Sequence, residues 1–367
     1  MKVVHLTTVH PPFDTRIFHK QARILVKTGH NVALIAQHKE NEVVDGVKVV
    51  ALPKPKNRFT RIFGLTWLAF RLALERRADV YHFHDPELIP VGLALKTLTS
   101  ARMVYDIHED YPRQILSKAW IPVALRKPIA WSMRLLERLA ARFFDGLVAA
   151  TPAIARRFPP SKTVVVRNFP RVEELIRDRG ETVPYPYRPN WVVYVGSIAS
   201  VRGVVEMVKA VARVNVPVQL VLAGSFESAS LQHAVAALPG WQRTRFLGWL
   251  DRQQVGDLLG KARVGLVLLH PLPRYQEAWP VKLFEYMAAG IPFIASDFPL
   301  WRELGDGAGL FVNPLEPQAI AQAINWLLTH PEEAEAMGRR GRERVLKEYS
   351  WDAEAQKLLK FYERLLP

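Results

Sequence analysis

Val264-Gly-Leu-Val-Leu-Leu269-His-Pro-Leu-Pro-Arg-Tyr-Gln-Glu277-Ala-Trp-Pro280-Val-Lys282-Leu-Phe-Glu285-Tyr-Met-Ala-Ala-Gly290-Ile-Pro292-Phe-Ile-Ala295 reads as a strand, a loop, a short helix and a second strand. Two apolar runs of strand length enclose a row of good helix formers, the pattern of a βαβ unit in a parallel sheet. Pro280 suits a first helical turn, and Gly290 followed by Pro292 supplies a left-handed cap and a stop. The helix is therefore expected to present its amino end just beyond the strand Val264 to Leu269.

The alternation extends in both directions. Strands are expected at Trp191 to Val195, Val218 to Ala223, Thr244 to Leu247 and Leu310 to Val312, and mostly helix after Pro331. Upstream, a first series runs through strands Val3 to Thr8, Asn31 to Ala36, Val47 to Ala51, Val80 to Phe83, Met103 to Ile107, Gly146 to Ala150 and Thr163 to Val166. Helical patterns at Phe18 to Thr28, Arg58 to Arg77, Pro90 to Thr97 and Leu125 to Phe144 separate several of these strands. Residues 178–190 contain three prolines and no apolar period, as a linker does. The reading is thus α/β with two Rossmann-like domains, at 1–180 and 186–345, and a terminal helix at 346–367 expected to pack back on the first domain.

Composition narrows the class. At 367 residues, 49% hydrophobic and 23% charged, the chain is that of a globular protein with room for two cores. It has no cysteine, which excludes disulfides and thiolate chemistry. No export signal is read at the start, and Lys or Arg breaks each apolar run before the roughly twenty residues a membrane span needs. A cytoplasmic protein is expected. The net charge of +15 is uneven: residues 1–185 hold 30 Lys and Arg against 17 Asp and Glu, a net +13, leaving +2 for the rest. A basic half implies an anionic partner, nucleic acid or acidic lipid. No nucleic-acid recognition motif is visible, so lipid is preferred. The stretch Arg113 to Arg142, with Trp120 and Trp131 rimmed by cations, reads as an interfacial segment on a membrane surface, with a domain-packing helix as the alternative.

The amino end of the short helix offers free N–H groups at Val281 and Lys282, a ready anion site to which the Lys adds charge. Glu285 lies one turn on, facing the same way, and its carboxylate can accept from a ribose diol. Glu277 precedes the helix. Tyr194-Val-Gly196-Ser197-Ile-Ala-Ser-Val-Arg202-Gly203 forms the opposing wall, with Arg202 placed for paired bonds to phosphate and Gly224 permitting close backbone approach. Taken singly, each of these residues has a bland reading as surface charge or turn geometry; their common context favours a site. His82, His84 and Asp85 have the residue types of metal ligands, but no metal is expected.

Glu277 and Glu285, with seven residues between them, resemble the Glu-x7-Glu motif of the family-four retaining GT-B glycosyltransferases. His10 to Arg16, Asp79 to Glu87, Tyr105 to Pro112, the Gly196 turn with Arg202-Gly203, Phe246-Leu-Gly248 and Pro280 to Gly290 follow in the family's order over nearly the whole chain. The resemblance implies two parallel sheets facing a central cleft. It implies a nucleotide diphosphate sugar (UDP or GDP) on the second domain: Glu285 on the ribose, Glu277 on the transferred sugar, Arg202 and Lys282 on the diphosphate, and the base near Leu247. It also implies that His108 binds the donor sugar and assists transfer with retention, to a lipid-linked or glycan acceptor in cell-surface polysaccharide synthesis, without cofactor or metal. The family's phosphate-turn Arg is Ser197 here, and its glycines after the first strand are replaced by Pro11 to Asp14, so Arg16 becomes a further candidate for phosphate or acceptor. A nucleotide-sugar epimerase of the same fold, or a basic nucleic-acid-binding protein, are the competing readings.

Overall fold

A computed structural model of the protein describes residues 1–116, 118, 121–175 and 183–365. Trp120 of the expected interfacial stretch and residues 178–182 of the expected linker lie outside the described residues. The chain divides into two compact units, one of Met1–Asn168 with the segment that begins at Trp351, the other of Phe169–Ser350. The change of unit falls at Phe169 rather than near residue 180, because Phe169, Val172 and Leu175 are buried in the second unit's core. Val345 and Tyr349 pack in that core as well, so the returning helix of the first unit starts at Trp351.

In the first unit, β1 (Lys2–Leu6), β2 (Asn31–Gln37), β3 (Glu42–Val44), β4 (Val47–Leu52), β5 (Val80–Phe83), β6 (Arg102–Ile107), β7 (Gly146–Ala149) and β8 (Thr163–Val165) form one sheet in the order β3-β4-β2-β1-β5-β6-β7-β8. All pairings are parallel except β3 with β4. The β3 hairpin is not among the expected strands. Its two-residue turn, Asp45 and Gly46, has φ of 50° and 80°, the left-handed pair that an Asp-Gly hairpin turn uses.

Both faces of this sheet are covered, which is why the strands read as nearly continuous apolar runs. Val4, Leu6, Tyr81 and Phe83 point to one core. Val3, Val80, Val104 and Val148 point to the other, beneath Phe18, Trp351, Leu358 and Phe361. Each such aliphatic or aromatic side chain contributes roughly 1.5–3 kcal/mol on burial, so the two-sided packing outweighs local propensity. The expected regular helix from Phe18 is instead a widened turn at Ile17–Ala22 followed by α-helix Arg23–Lys27. His19 N donates to Asp14 O and Gln21 N to Arg16 O, five residues back, the spacing of a π-bulge.

The second unit holds β9 (Trp191–Val195), β10 (Gln219–Ala223), β11 (Thr244–Gly248), β12 (Val264–Val267), β13 (Phe293–Ser296) and β14 (Gly309–Val312), all parallel, in the order β11-β10-β9-β12-β13-β14. Helix Val281–Ala288 is buried from Leu283 to Ala288. Helix Pro331–Glu348 packs on it so closely that a Cβ on Gly338 would lie 2.2 Å from Gly290 O. Among the described residues no helix is long and apolar enough to cross a membrane.

Candidate functional site

In the second unit the site residues gather at the carboxyl edge of adjacent strands. The chain leaves β9 through Gly196 (φ 132°) and β10 through Gly224 (φ 141°), conformations that side chains rarely adopt. A Cβ on Gly224 would lie 1.9 Å from Gly196 O, so the two turns touch backbone to backbone. A Cβ on Gly196 would lie 2.5 Å from Lys282 Nζ, so the lysine lies directly over that turn. Its ammonium is 5.4 Å from the centre of the Tyr194 ring.

Lys282 is a strained cation. Burial first, and the charge of Arg202 second, bring it down to about 8, with Glu285 opposing. Two like charges brought together in a part-buried place are costly unless an anion joins them. Arg202 ends the short turn Ser200–Arg202, and the Tyr194 hydroxyl donates to Ser197 O at 2.7 Å. Gly203 (φ 76°) then starts helix Val204–Val211; a Cβ there would lie 2.4 Å from Leu268 O.

Pro280 is the residue before the helix, not in its first turn as the sequence reading had it; Val281 is the first helical residue and is half-buried. Glu285 is buried and carries a partner the sequence reading missed: Arg252 Nη1 donates to its Oε1 at 2.7 Å. Arg252 opens helix Arg252–Lys261, capped by Asp251, so its placement depends on β11 lying next to β10. Glu277 is exposed at the end of the turn Pro273–Gln276. The backbone beside it is held by Trp301, whose Nε1 donates to Ala278 O at 2.8 Å.

A cavity of about 370 Å³ opens along the two glycine turns, lined by Gly196, Ser197, Gly224, Phe226, Trp249 and Leu250 among others. Leu247, the expected base contact, packs against the unit's core, whereas Trp249, two residues on, lines this cavity. No local signal marks Trp249, which follows the left-handed Gly248 turn (φ 71°).

In the first unit, His108 stands just past β6 at the end of a buried polar cluster. Asp106 accepts from Arg16 through Oδ2 (3.1 Å from Nε) and Oδ1 (2.8 Å from Nη2). The other Arg16 nitrogen donates to Val166 O at 2.7 Å. Arg16 is 3% exposed, which corrects the expectation that it meets phosphate or acceptor: its guanidinium is committed to the interior. Burial would raise the Asp106 carboxyl, yet Arg16 and then His108 hold it well below the usual range. His5 Nδ1 lies 2.9 Å from His84 Nε2, and His84 Nδ1 lies 3.1 Å from His108 Nε2. Burial lowers His84 to about 3 and lowers His5 and His82 as well.

Two sets, His5 with His82 and His84, and His84 with Asp106 and His108, have ligand atoms close enough for a metal. The set His82, His84 and Asp85 is not brought together: Asp85 turns to Thr7 Oγ1 at 2.8 Å and Thr8 N at 2.6 Å. His10 sits 4.9 Å from the His108 ring and is raised, the hydrogen bond to Asp14 and the charge of Asp85 outweighing burial. The alternation of His82 and His84, and of Asp106 and His108, was the available signal for this cluster; His5 joins by register, opposite His82.

The family description "Glycosyl transferase 4-like domain" matches residues 15–168, and "Glycosyl transferases group 1" matches residues 182–344. The chain is 26% identical to D-rhamnosyltransferase WbpZ of Pseudomonas aeruginosa, over 72% of this chain and 68% of that one. It is 22% identical to the glycogen synthase of Mycobacterium tuberculosis, over 99% and 94%. The crystal structure of Anabaena HepE in complex with UDP-glucose has the same fold, with a TM-score of 0.76 at 14% identity, covering 99% of this chain and all of that one. The chain belongs to the group 1 glycosyltransferases. Its architecture is GT-B, and the resemblance read from the motifs is borne out.

Proposed function

We propose that the protein transfers a sugar with retention from a UDP- or GDP-sugar to a lipid-linked or glycan acceptor at an anionic membrane surface, as in cell-surface polysaccharide synthesis, using no cofactor or metal. The observation that carries this is the burial of Lys282 over the Gly196 turn, within the field of the Arg202 cation and of the buried Glu285 carboxylate. A diphosphate satisfies both cations, and preorganised donors stabilise it as a leaving group where a metal otherwise would. The anomeric C–O bond to the diphosphate breaks, the acceptor hydroxyl bonds to that carbon, and its proton leaves with the diphosphate.

Glu285, oriented by Arg252, is assigned to the ribose; Glu277 and His108 are assigned to the transferred sugar. The UDP-glucose in the HepE structure makes UDP the first nucleotide to test. Helix Val123–Phe143 supports the surface assignment: Leu125, Trp131, Leu135, Leu139 and Phe143 are exposed along it, Trp131 by 66%, among Arg126, Lys127, Arg134, Arg138 and Arg142. An apolar stripe rimmed by cations suits the boundary of an anionic bilayer.

A thermal-shift panel of UDP, GDP and their sugars tests the donor, since a ligand stabilises the fold by mass action. One nucleotide should raise the midpoint in the wild type and not in Glu285→Ala. If none does, or the variant responds equally, the site is misassigned. Product anomers by NMR test retention, and sedimentation with anionic vesicles, lost in Trp131→Glu, tests the surface.

A further inference from the structure

We propose that the first unit meets an anionic bilayer through a second anchor, the aromatic stripe Phe59, Phe63 and Trp67, so that one whole helical face of its sheet lies on the membrane. This surface extends the bilayer assignment made above and rests on it. The widened turn Thr60–Leu65 and helix Thr66–Arg76 run on as one helical segment. It buries Leu65, Ala69 and Ala73 against the sheet, as any covering helix does. Its outer side leaves Phe59 exposed by 70%, Phe63 by 61% and Trp67 by 62%. The Phe59 and Phe63 rings lie 4.7 Å apart and pack on each other in the open. Scattered apolar residues are ordinary on a surface, but a contiguous row of large rings marks a contact site.

The two faces of the sheet differ. Helices Thr66–Arg76 and Val123–Phe143 cover the same core, with helix Ile89–Leu98 packed on both, and each of the outer two exposes such a stripe. The opposite core is covered by residues 17–27 and by helix Trp351–Leu365, and neither leaves a large apolar side chain exposed. Charge selects the occupant. Residues 54–77 hold seven Lys and Arg against one acid, Glu75, and Lys54, Lys56, Arg58 and Arg71 are exposed among the rings. The core of a protein interface is depleted of charge, whereas rings interleaved with cations suit the headgroup layer of an acidic bilayer.

The stripe also starts at the edge that carries the site. Arg61 donates through Nε and Nη2 to the Glu87 carboxylate, at 3.1 Å each, and Thr8 Oγ1 donates to the same group at 2.6 Å. Thr8 and Glu87 stand just past the carboxyl ends of β1 and β5, and His108 just past β6, the neighbour of β5. Laying this face on a bilayer therefore brings the His108 edge to the headgroup layer, where a membrane-anchored acceptor presents its polar end. A single weak anchor binds reversibly, and two acting together hold.

The chain has no cysteine, so one introduced thiol carries an environment-sensitive dye at a single place. Gly64→Cys lies within the stripe, where a Cβ meets nothing within 4 Å; Ser132→Cys lies beside Trp131, and Gln356→Cys on the opposite face. Vesicles of phosphatidylcholine with phosphatidylglycerol should shift the emission to the blue at 64 and 132 and leave it unchanged at 356. Phosphatidylcholine alone, or raised salt, should weaken both responses. A response at 132 without one at 64 would overturn the second anchor and leave the Val123–Phe143 surface standing; silence at both would overturn the two together. A blue shift at 64 that grows with protein concentration in the absence of vesicles would show another copy covering the stripe, which also refutes the proposal.

The variant that tests the contribution is Phe63→Glu with Trp67→Glu. Both side chains are mostly exposed, so the unfolding midpoint should stay at the wild-type value. Sedimentation with the same vesicles should fall roughly tenfold or more, the factor that burying one aromatic side chain supplies. Unchanged sedimentation would refute the role, and the dye measurement decides independently of how this pair folds.

Discussion

Lys282 gives the sharpest prediction: binding of a nucleoside diphosphate should take up protons. Burial and Arg202 bring the ammonium from 10.5 to about 8. At 1.36 kcal/mol per pH unit this destabilises the charged form by about 3 kcal/mol. A diphosphate reverses the cause by supplying opposite charge and hydrogen-bond acceptors. Near pH 8 about half the free protein should carry a neutral Lys282, so binding should take up roughly half a proton; near pH 6 it should take up almost none. Above pH 8 the affinity should fall by up to about tenfold per pH unit, levelling off as pH nears the bound-state value. The measurement is calorimetry with UDP or GDP in buffers of different ionisation enthalpy, at pH 6 and pH 8. A terminal phosphate itself titrates only near about pH 6, so the pH 8 signal belongs to the protein. Lys282→Met should abolish the buffer dependence at pH 8. Tight binding with no proton uptake there, or equal uptake in the variant, would refute the claim that Lys282 meets the diphosphate.

Three further outcomes follow from the same contacts. Gly224→Ala should cost on the order of 1–3 kcal/mol in urea unfolding, because its Cβ would enter Gly196 O at a φ of 141°, and should erase nucleotide binding as the turns part; near-native stability would contradict the close approach. Arg16→Met alone should cost about 3–5 kcal/mol by leaving Asp106 charged and unpaired, and the double variant with Asp106→Leu should recover most of it. Acid should unfold the first unit early. His84 is lowered to about 3 from 6.5, so the unfolded chain binds the extra proton, and stability present above pH 6.5 should drain toward pH 3 at up to about 1.4 kcal/mol per unit. A urea midpoint that stays flat from pH 7 to pH 4.5 would count against neutral buried histidines.

Much of the fold was legible because the parallel strands are buried on both faces and announce themselves as short apolar runs between helical periods. Among the strands of the described residues β3 alone escaped, being too short to show a period, although its Asp45-Gly46 turn was readable. The unit boundary was misjudged for a different reason. Proline-rich composition marks where a chain lacks structure, whereas Phe169 belongs to the second unit through contacts with Phe284 and Tyr349 more than a hundred residues on.

The candidate site divides along the same line. The spacing of Gly196, Arg202, Lys282 and Glu285 in this one sequence determined which groups are offered to an anion and in which unit, because turns and a short helix are local structures. What the sequence could not state is which charges are spent inside. Arg16, by residue type a phosphate ligand, became the counterion of Asp106, and Glu285 acquired Arg252, because neighbouring strands set those distances. Four histidines, His5 on β1, His82 and His84 on and just past β5, and His108 just past β6, became one cluster only when register set His5 beside His82 and the sheet's order put β6 next to β5. Hydrogen bonds and ion pairs act over a few ångströms, and for residues distant in sequence only the folded sheet brings them within that range.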